Sequence, residues 1–478
     1  MTLAKIRIVP AAAAQKGDEV EEALYEVRKK IYPRAVSGIF ARWRWTIMLI
    51  TQVVFYGLPW VTWNGRQAVL FDLGARKFYL FGAVLWPQDV IYLTVLLVLS
   101  ALSLFLFTAV AGRLWCGYSC PQTVYTEIFL WIERKIEGER LARIRLDAAE
   151  MSLEKFVIKA LKHTAWGTLA LWTGFTFVGY FTPIKTLGME FFTATLGPWQ
   201  TFWILFYAFA TYGNAGWMRE QVCKYMCPYA RFQSVMFDRD TLVITYDAER
   251  GEPRGSRNKK SDARTLGLGD CVDCGICVQV CPTGIDIRNG LQYECIGCAA
   301  CIDGCDQVMD RMGYPKGLIR YDTSAGLEQH LSFRQKAKRV LRPRTLFYAG
   351  LLLAIAAALV TSLALRKTLK VDVLRDRASL AREAAPGIIE NVYRLQIMNT
   401  GETPHSYRIG VTGLPGAEVV GLDGPVEIPG ATTQSVPLRV RVAESAGQPG
   451  VNKIEFTVGA VDDPQLAVVE KSTFIIPR

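Results

Sequence analysis

Histidine is nearly absent from this chain. Three occur in 478 residues, His163, His330 and His405. They form no pair for a bis-histidine haem. His163, at the end of an apolar stretch, reads first as a polar interfacial residue and only second as a contact for quinone or haem. No Walker loop, nucleotide-binding glycine fingerprint or hydrolase nucleophile elbow is present, so those chemistries are excluded. Charge is also sparse, 21% of residues against 51% hydrophobic. A chain so poor in charge and so rich in apolar residues reads as a membrane protein. The net charge of +11 is explained by basic loops on one membrane face, and nucleic acid is not needed as a partner.

The cysteines are concentrated. Eight of the twelve fall between Cys271 and Cys305. Cys271, Cys274, Cys277 and Cys281 read C-x2-C-x2-C-x3-C and are followed by Pro282. Cys295, Cys298, Cys301 and Cys305 repeat the spacing. This is the ligand pattern of a two-cluster bacterial ferredoxin, in which the fourth cysteine of each run serves the other run's cluster. It assigns one [4Fe–4S] cluster to Cys271, Cys274, Cys277 and Cys305. The second goes to Cys295, Cys298, Cys301 and Cys281. Gly275 and Gly297 are expected where backbone passes close to a cluster, and Pro282 at a turn. Structural zinc would use paired C-x2-C spacing, and disulfides an oxidising compartment. Cys305 departs from the pattern: Asp306 follows it instead of proline. A carboxylate there is expected to lower the potential of the first cluster.

The other four cysteines form an internal repeat. Cys116-Gly117-Tyr118-Ser119-Cys120-Pro121 and Cys223-Lys224-Tyr225-Met226-Cys227-Pro228 both read C-x-Tyr-x-C-P. On a helix, C-x3-C sets both sulfurs on one face, one turn apart. The proline is then expected to end or bend that helix. If the halves pack as equivalents, Cys116, Cys120, Cys223 and Cys227 converge near the ferredoxin module. Three readings stay open for them: a soft-metal site such as Cu(I), a dithiol redox pair or ligands of a further cluster, or structural cysteines at helix ends.

Five apolar stretches are long enough to span about 30 Å of hydrocarbon as helices. They cover residues 45–61, 90–111, 156–181, 195–212 and 345–365. The first is short and Gly197-Pro198 interrupts the fourth. About forty polar residues precede the first, which speaks against a cleaved signal peptide. Basic residues cluster before the first stretch (Arg28, Lys29, Lys30, Arg34, Arg42, Arg44), after the second (from Arg113 to Lys155) and after the fourth (among them Lys259, Lys260 and Arg334 to Arg344). The positive-inside rule turns those segments to the cytoplasm and the tail to the other side. The iron–sulfur thiols then face a reducing compartment.

The expected organisation is therefore multi-domain. Residues 1–44 form a cytoplasmic amino-terminal segment, and 45–213 a four-helix membrane domain carrying the first C-x3-C-P. Residues 214–344 form a cytoplasmic segment with the second C-x3-C-P and an α+β dicluster ferredoxin at about 262–312. A fifth span covers 345–366 and an exported domain 367–478. That last domain has no cysteine and few aromatics. Its period-two runs at 392–397, 407–411, 436–442 and 453–458 suggest an all-β immunoglobulin-like sandwich. It is expected to dock or aid folding, not to catalyse. Pro429-Gly430-Ala431-Thr432 is faintly similar to a flavin-attachment sequence, but a turn is the better reading.

Taken together, these motifs resemble the CcoG/FixG/RdxA family, the cytochrome c oxidase accessory proteins of bacteria. The basic start, five spans, paired C-x3-C-P motifs, dicluster module and exported tail all take part. The most specific segment runs from Cys281-Pro282-Thr283-Gly284 to Tyr293-Glu294-Cys295-Ile296-Gly297-Cys298. The membrane half also resembles polyferredoxin subunits of periplasmic nitrate and nitrous oxide systems. The resemblance implies an inner-membrane protein with two [4Fe–4S] clusters. It further implies a role in maturing a cbb-type oxidase by reducing Cu(II) to Cu(I), with the oxidase or its copper-assembly factors as partners and the electron donor unknown. The copper is then expected at Cys116, Cys120, Cys223 and Cys227. Two alternatives are a quinol-linked conduit to a periplasmic partner and a copper-binding scaffold whose clusters sense redox state.

Overall fold

The computed structural model describes residues 30–259, 266–376 and 381–477. Arg28, Lys29 and Lys260 of the basic runs, and the first residues of the expected 262–312 module, lie outside these.

Each expected span forms a helix. They are Ile39–Gly57, Val90–Ala111, Leu153–Val178, Pro198–Thr211 and Pro343–Ala364. Among the described residues two helices, Pro87–Ala111 and Pro343–Ala364, are long and apolar enough to cross a membrane. The first helix starts six residues before the expected stretch, carrying Arg42 and Arg44 in its opening turns. The third starts at Leu153, where the Ser152 hydroxyl accepts from the Lys155 N–H at 3.1 Å. Gly197-Pro198 does not interrupt the fourth helix but begins it. Proline at the first helical position loses only an N–H that had no partner there. That helix has 14 residues and continues as a π-helix, Tyr212–Met218.

The loop after the first span is more ordered than its composition suggests. A three-stranded meander, Val69–Asp72, Lys77–Leu80 and Ala83–Leu85, follows a short hairpin. This loop meets the carboxyl-terminal domain. Arg66 pairs with Glu402 at 2.6 Å, and the Lys77 ammonium donates to the Ala431 carbonyl at 2.8 Å. Buried Asp89 takes both Arg366 (2.7 Å) and Lys370 (2.5 Å).

The carboxyl-terminal domain is immunoglobulin-like. One sheet orders Glu418–Val420, Thr432–Ala443, Ile388–Asn399 and Leu369–Arg375. Arg382–Ala385 also pairs with Ile388–Asn399. The other orders Val426–Ile428, His405–Thr412, Gly450–Ala460 and Ala467–Ile476. Alternate residues of both sheets, including Tyr393, Leu395, Leu438, Val440, Phe456 and Phe474, fill one core. The 429–432 run is a turn. Ala431 has φ +53°, and the Thr432 hydroxyl donates to the Pro429 carbonyl at 2.7 Å.

On the opposite side of the helices, strands Val243–Tyr246 and Ile319–Asp322 pair antiparallel and flank the eight-cysteine segment. Its helix Ala300–Met312 docks on the first span helix. The Asp303 carboxylate accepts from the Ala41 and Phe40 N–H groups at 2.7 and 3.3 Å, filling the helix N-terminus with a negative charge.

Candidate redox centre

The eight clustered cysteines line two small adjacent cavities. The first is lined by Cys271, Cys274, Cys277 and Cys305, with Tyr246, Met309 and Leu318 among its walls. The second is lined by Cys281, Cys295, Cys298 and Cys301, with Ile244, Ile285 and Ile287; Cys277 stands on the shared wall. The chain thus crosses between cavities, as ferredoxin spacing requires. Among the described residues no three His, Cys, Asp or Glu side chains converge tightly enough for a single metal ion. Sulfurs spread round a cavity suit a multi-iron cluster, and a lone zinc would need them at its own bond lengths.

Burial pushes these thiols up: Cys277 and Cys298 to about 11, Cys295 and Cys305 to about 12, and Cys301 well above its ordinary value. Such thiols ionise only when a cation arrives to bind them. The donor set, all sulfur inside apolar walls, therefore fits iron–sulfur clusters. Cys274 is the exposed member of the eight. Pro282 sits in a turn closed by the Gly284 N–H on the Cys281 carbonyl at 3.2 Å.

The two glycines named from the sequence act differently from one another. Gly275 has φ +64° and open space where a Cβ would stand, so conformation is what demands it. Gly297 has φ +69°, and a Cβ there would lie 2.9 Å from the Arg113 carbonyl oxygen. Its close approach is to the segment leading into the first C-x3-C-P.

That motif differs from the expectation. Cys116 lies in a short helix, Leu114–Tyr118, while Cys120 is the N-cap of the next, Pro121–Glu137. In the second copy Cys223 lies in a π-helix, Val222–Met226, and Cys227 is the N-cap of Pro228–Met236. The proline starts a helix and does not end one, because it fits the first helical position without loss. The two sulfurs of a pair therefore sit at a helix–helix joint and not on one helical face. Backbone N–H groups of Gln122 and Thr123 reach the Cys120 sulfur.

The four sulfurs lie near enough for their charges to act on one another, but among the described residues no three of them converge tightly enough to hold one metal ion as placed. Burial pushes Cys116 up to about 11, and the charges of Cys120 and Cys227 add to it. Burial pushes Cys223 to about 12, with additions from Cys120, Cys116 and Cys227. The halves brace each other across the centre. Gln233 of the second half is fully buried, its amide 3.4–3.5 Å from the Cys116 sulfur. Gln122 of the first half donates to the Asn214 and Arg219 carbonyls at 2.9 and 3.1 Å. Glu133, fully buried, pairs with Arg219 at 2.9 Å and Arg143 at 3.4 Å. Arg219 itself has φ +44° and follows the π-helix Tyr212–Met218, a local distortion of the kind found at functional sites.

The quartet abuts the second cavity. A Cβ on Gly117 would lie 2.8 Å from the backbone of Cys298 and Gly297. The Tyr321 hydroxyl donates to the Gly297 carbonyl at 2.6 Å and reaches the Tyr118 hydroxyl at 3.4 Å. Arg113 donates to the carbonyls of Tyr293, Cys295 and Ala230. Arg44 donates to the Cys298 carbonyl. Gln233, Glu133 and Arg219 were not singled out from sequence, and Arg113 was named only as a basic loop residue. The one available signal was an arginine three residues before Cys116 and another four before Cys223.

Comparison with known proteins agrees with these features. A family described as "4Fe-4S dicluster domain" matches residues 218–324, and "4Fe-4S binding domain" matches 93–138. The family of the IG-like fold at the C-terminus of FixG matches 359–477. Nitrogen fixation protein FixG of Rhizobium meliloti is 40% identical over 429 residues, 83% of this chain and 82% of that protein. Protein RdxA of Cereibacter sphaeroides is 40% identical over 424 residues, covering 85% and 88%. Ferredoxin-type protein NapH of Haemophilus influenzae is 24% identical over 225 residues, 44% of this chain and 66% of that one. A crystal structure of a FixG-related protein from Vibrio parahaemolyticus aligns over 23% of this chain and 97% of its own, at 20% identity and a TM-score of 0.21.

Proposed function

The chain belongs to the FixG/RdxA family of iron–sulfur electron-transfer proteins, and from that premise we propose that it is a membrane-bound cupric reductase serving the assembly of a cbb-type oxidase. Cys271, Cys274, Cys277 and Cys305 hold one [4Fe–4S] cluster, and Cys281, Cys295, Cys298 and Cys301 the other. Bound there, the clusters supply one-electron reducing equivalents. Cys116, Cys120, Cys223 and Cys227 hold the substrate copper, since thiolates favour Cu(I) over Cu(II).

One observation supports this reading: the first repeat packs at Gly117 on the Cys298 backbone, and Cys223 of the second repeat lines a cavity with both. Gly117 and Gly297 keep that contact close. Gln233 orients Cys116, and the Glu133–Arg219 pair locks the halves. Each Cu(II) takes one electron to become Cu(I); the thiols give up their protons to solvent when copper binds, and the electron step itself transfers no group.

Five spans are part of the proposal. All five helices expose large apolar side chains, such as Val53, Leu97, Phe156, Phe206 and Leu353. Such surface is stable against lipid. The basic segments support a ferredoxin module in the cytoplasm and an immunoglobulin-like domain in the periplasm of an inner membrane.

The test is anaerobic. Purified protein with reduced clusters is mixed with Cu(II), and cluster bleaching is followed against Cu(I) formation. One Cu(I) per electron lost, abolished when all four repeat cysteines become serine, is the expected result. Clusters that stay reduced beside Cu(II) would sink the reading. A second reading, a quinol-linked conduit, draws on a cavity beside His163, lined also by Lys159, Lys162, Trp166 and Trp217. Cluster reduction by a soluble quinol would favour it.

A further inference from the structure

Arg113 is a buried cation with no anion beside it. Only 6% of its surface is exposed, and among the described residues no carboxylate lies within ion-pair distance of it. Its terminal nitrogens donate to three backbone carbonyls, and its Nε, also buried, has no hydrogen-bond partner. A guanidinium taken out of water in this way costs several kcal/mol unless a negative group faces it. The groups that do face it are sulfurs: Cys116, Cys223 and Cys227 of the quartet, and Cys295 of the second cavity.

Arg44 stands against the same cavity. It is 9% exposed, donates to the Cys298 carbonyl and makes no ion pair closer than 4 Å among the described residues. Glu127 and Asp303 act on it from farther away. Asp303 is engaged at the N-terminus of helix Ile39–Gly57.

The first cavity is surrounded differently, although Glu294 stands before Cys295 as Asp273 stands before Cys274. Asp306 follows Cys305, and Asp273 precedes Cys274. Arg288, on its wall, is paired with Asp273 at 2.5 Å and Asp286 at 2.7 Å. Arg257 donates to the Cys271 carbonyl at 3.2 Å but is partly exposed, so solvent screens it. A thiolate-held cluster is anionic, and more so when reduced. Nearby positive charge therefore favours its reduced form and nearby negative charge its oxidised form.

We propose that Arg113, supported by Arg44, is the built-in counter-charge of the second cluster and the cysteine quartet, and that it holds the second cluster at a higher reduction potential than the first. The proposal rests on the cluster assignment given above. It makes the cluster beside the exposed Cys274 the weaker electron holder and the one beside the quartet the stronger. Transfer toward the quartet is then downhill. Arg113 touches no reacting atom; it is a positioning charge.

The test is an anaerobic redox titration of the full-length protein, with the clusters followed by electron paramagnetic resonance and no copper present. Wild type is expected to show two midpoints. Asp306→Asn should raise the lower one, which assigns it to the first cluster. Arg113→Gln should lower the upper midpoint by at least a tenfold change in its reduced-to-oxidised ratio, about 59 mV for a one-electron couple. The lower midpoint should stay in place. Arg113→Lys, which keeps the charge, should stay nearer to wild type. If Arg113→Gln loses its clusters, Arg44→Gln reads the same cluster from another side. An upper midpoint unmoved in every cluster-loaded glutamine variant, equal movement of both midpoints, or an Asp306→Asn shift in the upper one would overturn the proposal. Iron content of eight per chain checks the cluster assignment separately. Because copper is absent, failure of the cupric reductase reading would leave these results intact.

Discussion

Gly117 is where the two halves of the redox centre meet most tightly. A methyl group there would stand 2.8 Å from the Cys298 backbone, which has no side chain to swing aside. Gly117→Ala is expected to destabilise the protein by about 1–3 kcal/mol through overpacking. It should also slow cluster oxidation by Cu(II), because the loop must move away. Thermal unfolding and stopped-flow absorbance would read the two effects. Gln233→Leu is expected to keep the fold, since it replaces an amide by a side chain of similar size. It leaves the Cys116 sulfur without its partner, so copper affinity should fall while cluster content stays unchanged. Competition against a Cu(I) chelator measures the first and iron analysis the second. The eight clustered cysteines were legible as candidate ligands because their spacing is that of a dicluster ferredoxin. Arg113 and Gln233 were not, because a single arginine or glutamine has no pattern and only the fold reveals what it faces.

At the scale of elements, the joints carry the site. The helices Pro121–Glu137, Arg140–Ala148 and Leu153–Val178 are tied by buried charge. Glu133 faces Arg143, Arg219 and, at 4.0 Å, Lys162. Glu133→Ala leaves Arg143 and Arg219 without their anion, while Lys162 keeps Glu137 at 2.9 Å, and is expected to cost about 3–5 kcal/mol. Chemical denaturation in detergent would measure it. Asp147, at the end of the second of these helices, receives hydrogen bonds from Lys159, Lys30 and Tyr32. Burial opposes its ionisation, but these donors prevail and hold the carboxyl well below the usual carboxylate range. Its folded value is thus lower than its unfolded value of about 3.9. The stabilisation is present above that value and is lost as pH falls below it. Asp147→Asn should flatten the loss of stability between neutral pH and about pH 3, read as melting temperature against pH. The sequence indicated the repeat of cysteine, tyrosine and proline but misplaced the proline's role. C-x3-C fits one helical face, and only the surrounding chain decides that the second cysteine caps a new helix. The π-helices were equally hidden, since no residue type marks them.

Across the whole molecule, the five apolar stretches mapped onto five helices with ends shifted by a few residues. Arginine and lysine in the opening turns of Ile39–Gly57 and Leu153–Val178 blurred the apolar signal that defines a span. The strands after the first helix were missed because runs of three or four residues have little periodicity. The immunoglobulin-like domain was plain, because each sheet buries one face and period-two patterning follows. The proposed topology predicts that alkaline phosphatase fused after Leu365 is active and that the same enzyme fused after Ala148 is not. Equal activity at both points would contradict the sidedness.

The account depends most on two distant sequence repeats forming one sulfur site. X-ray absorption at the copper edge of the Cu(I)-loaded protein tests this directly. The prediction is one copper per chain with sulfur neighbours alone, lost when either Cys116 and Cys120 or Cys223 and Cys227 are replaced by serine. Copper retained by either pair variant, or bound through nitrogen or oxygen, would contradict it.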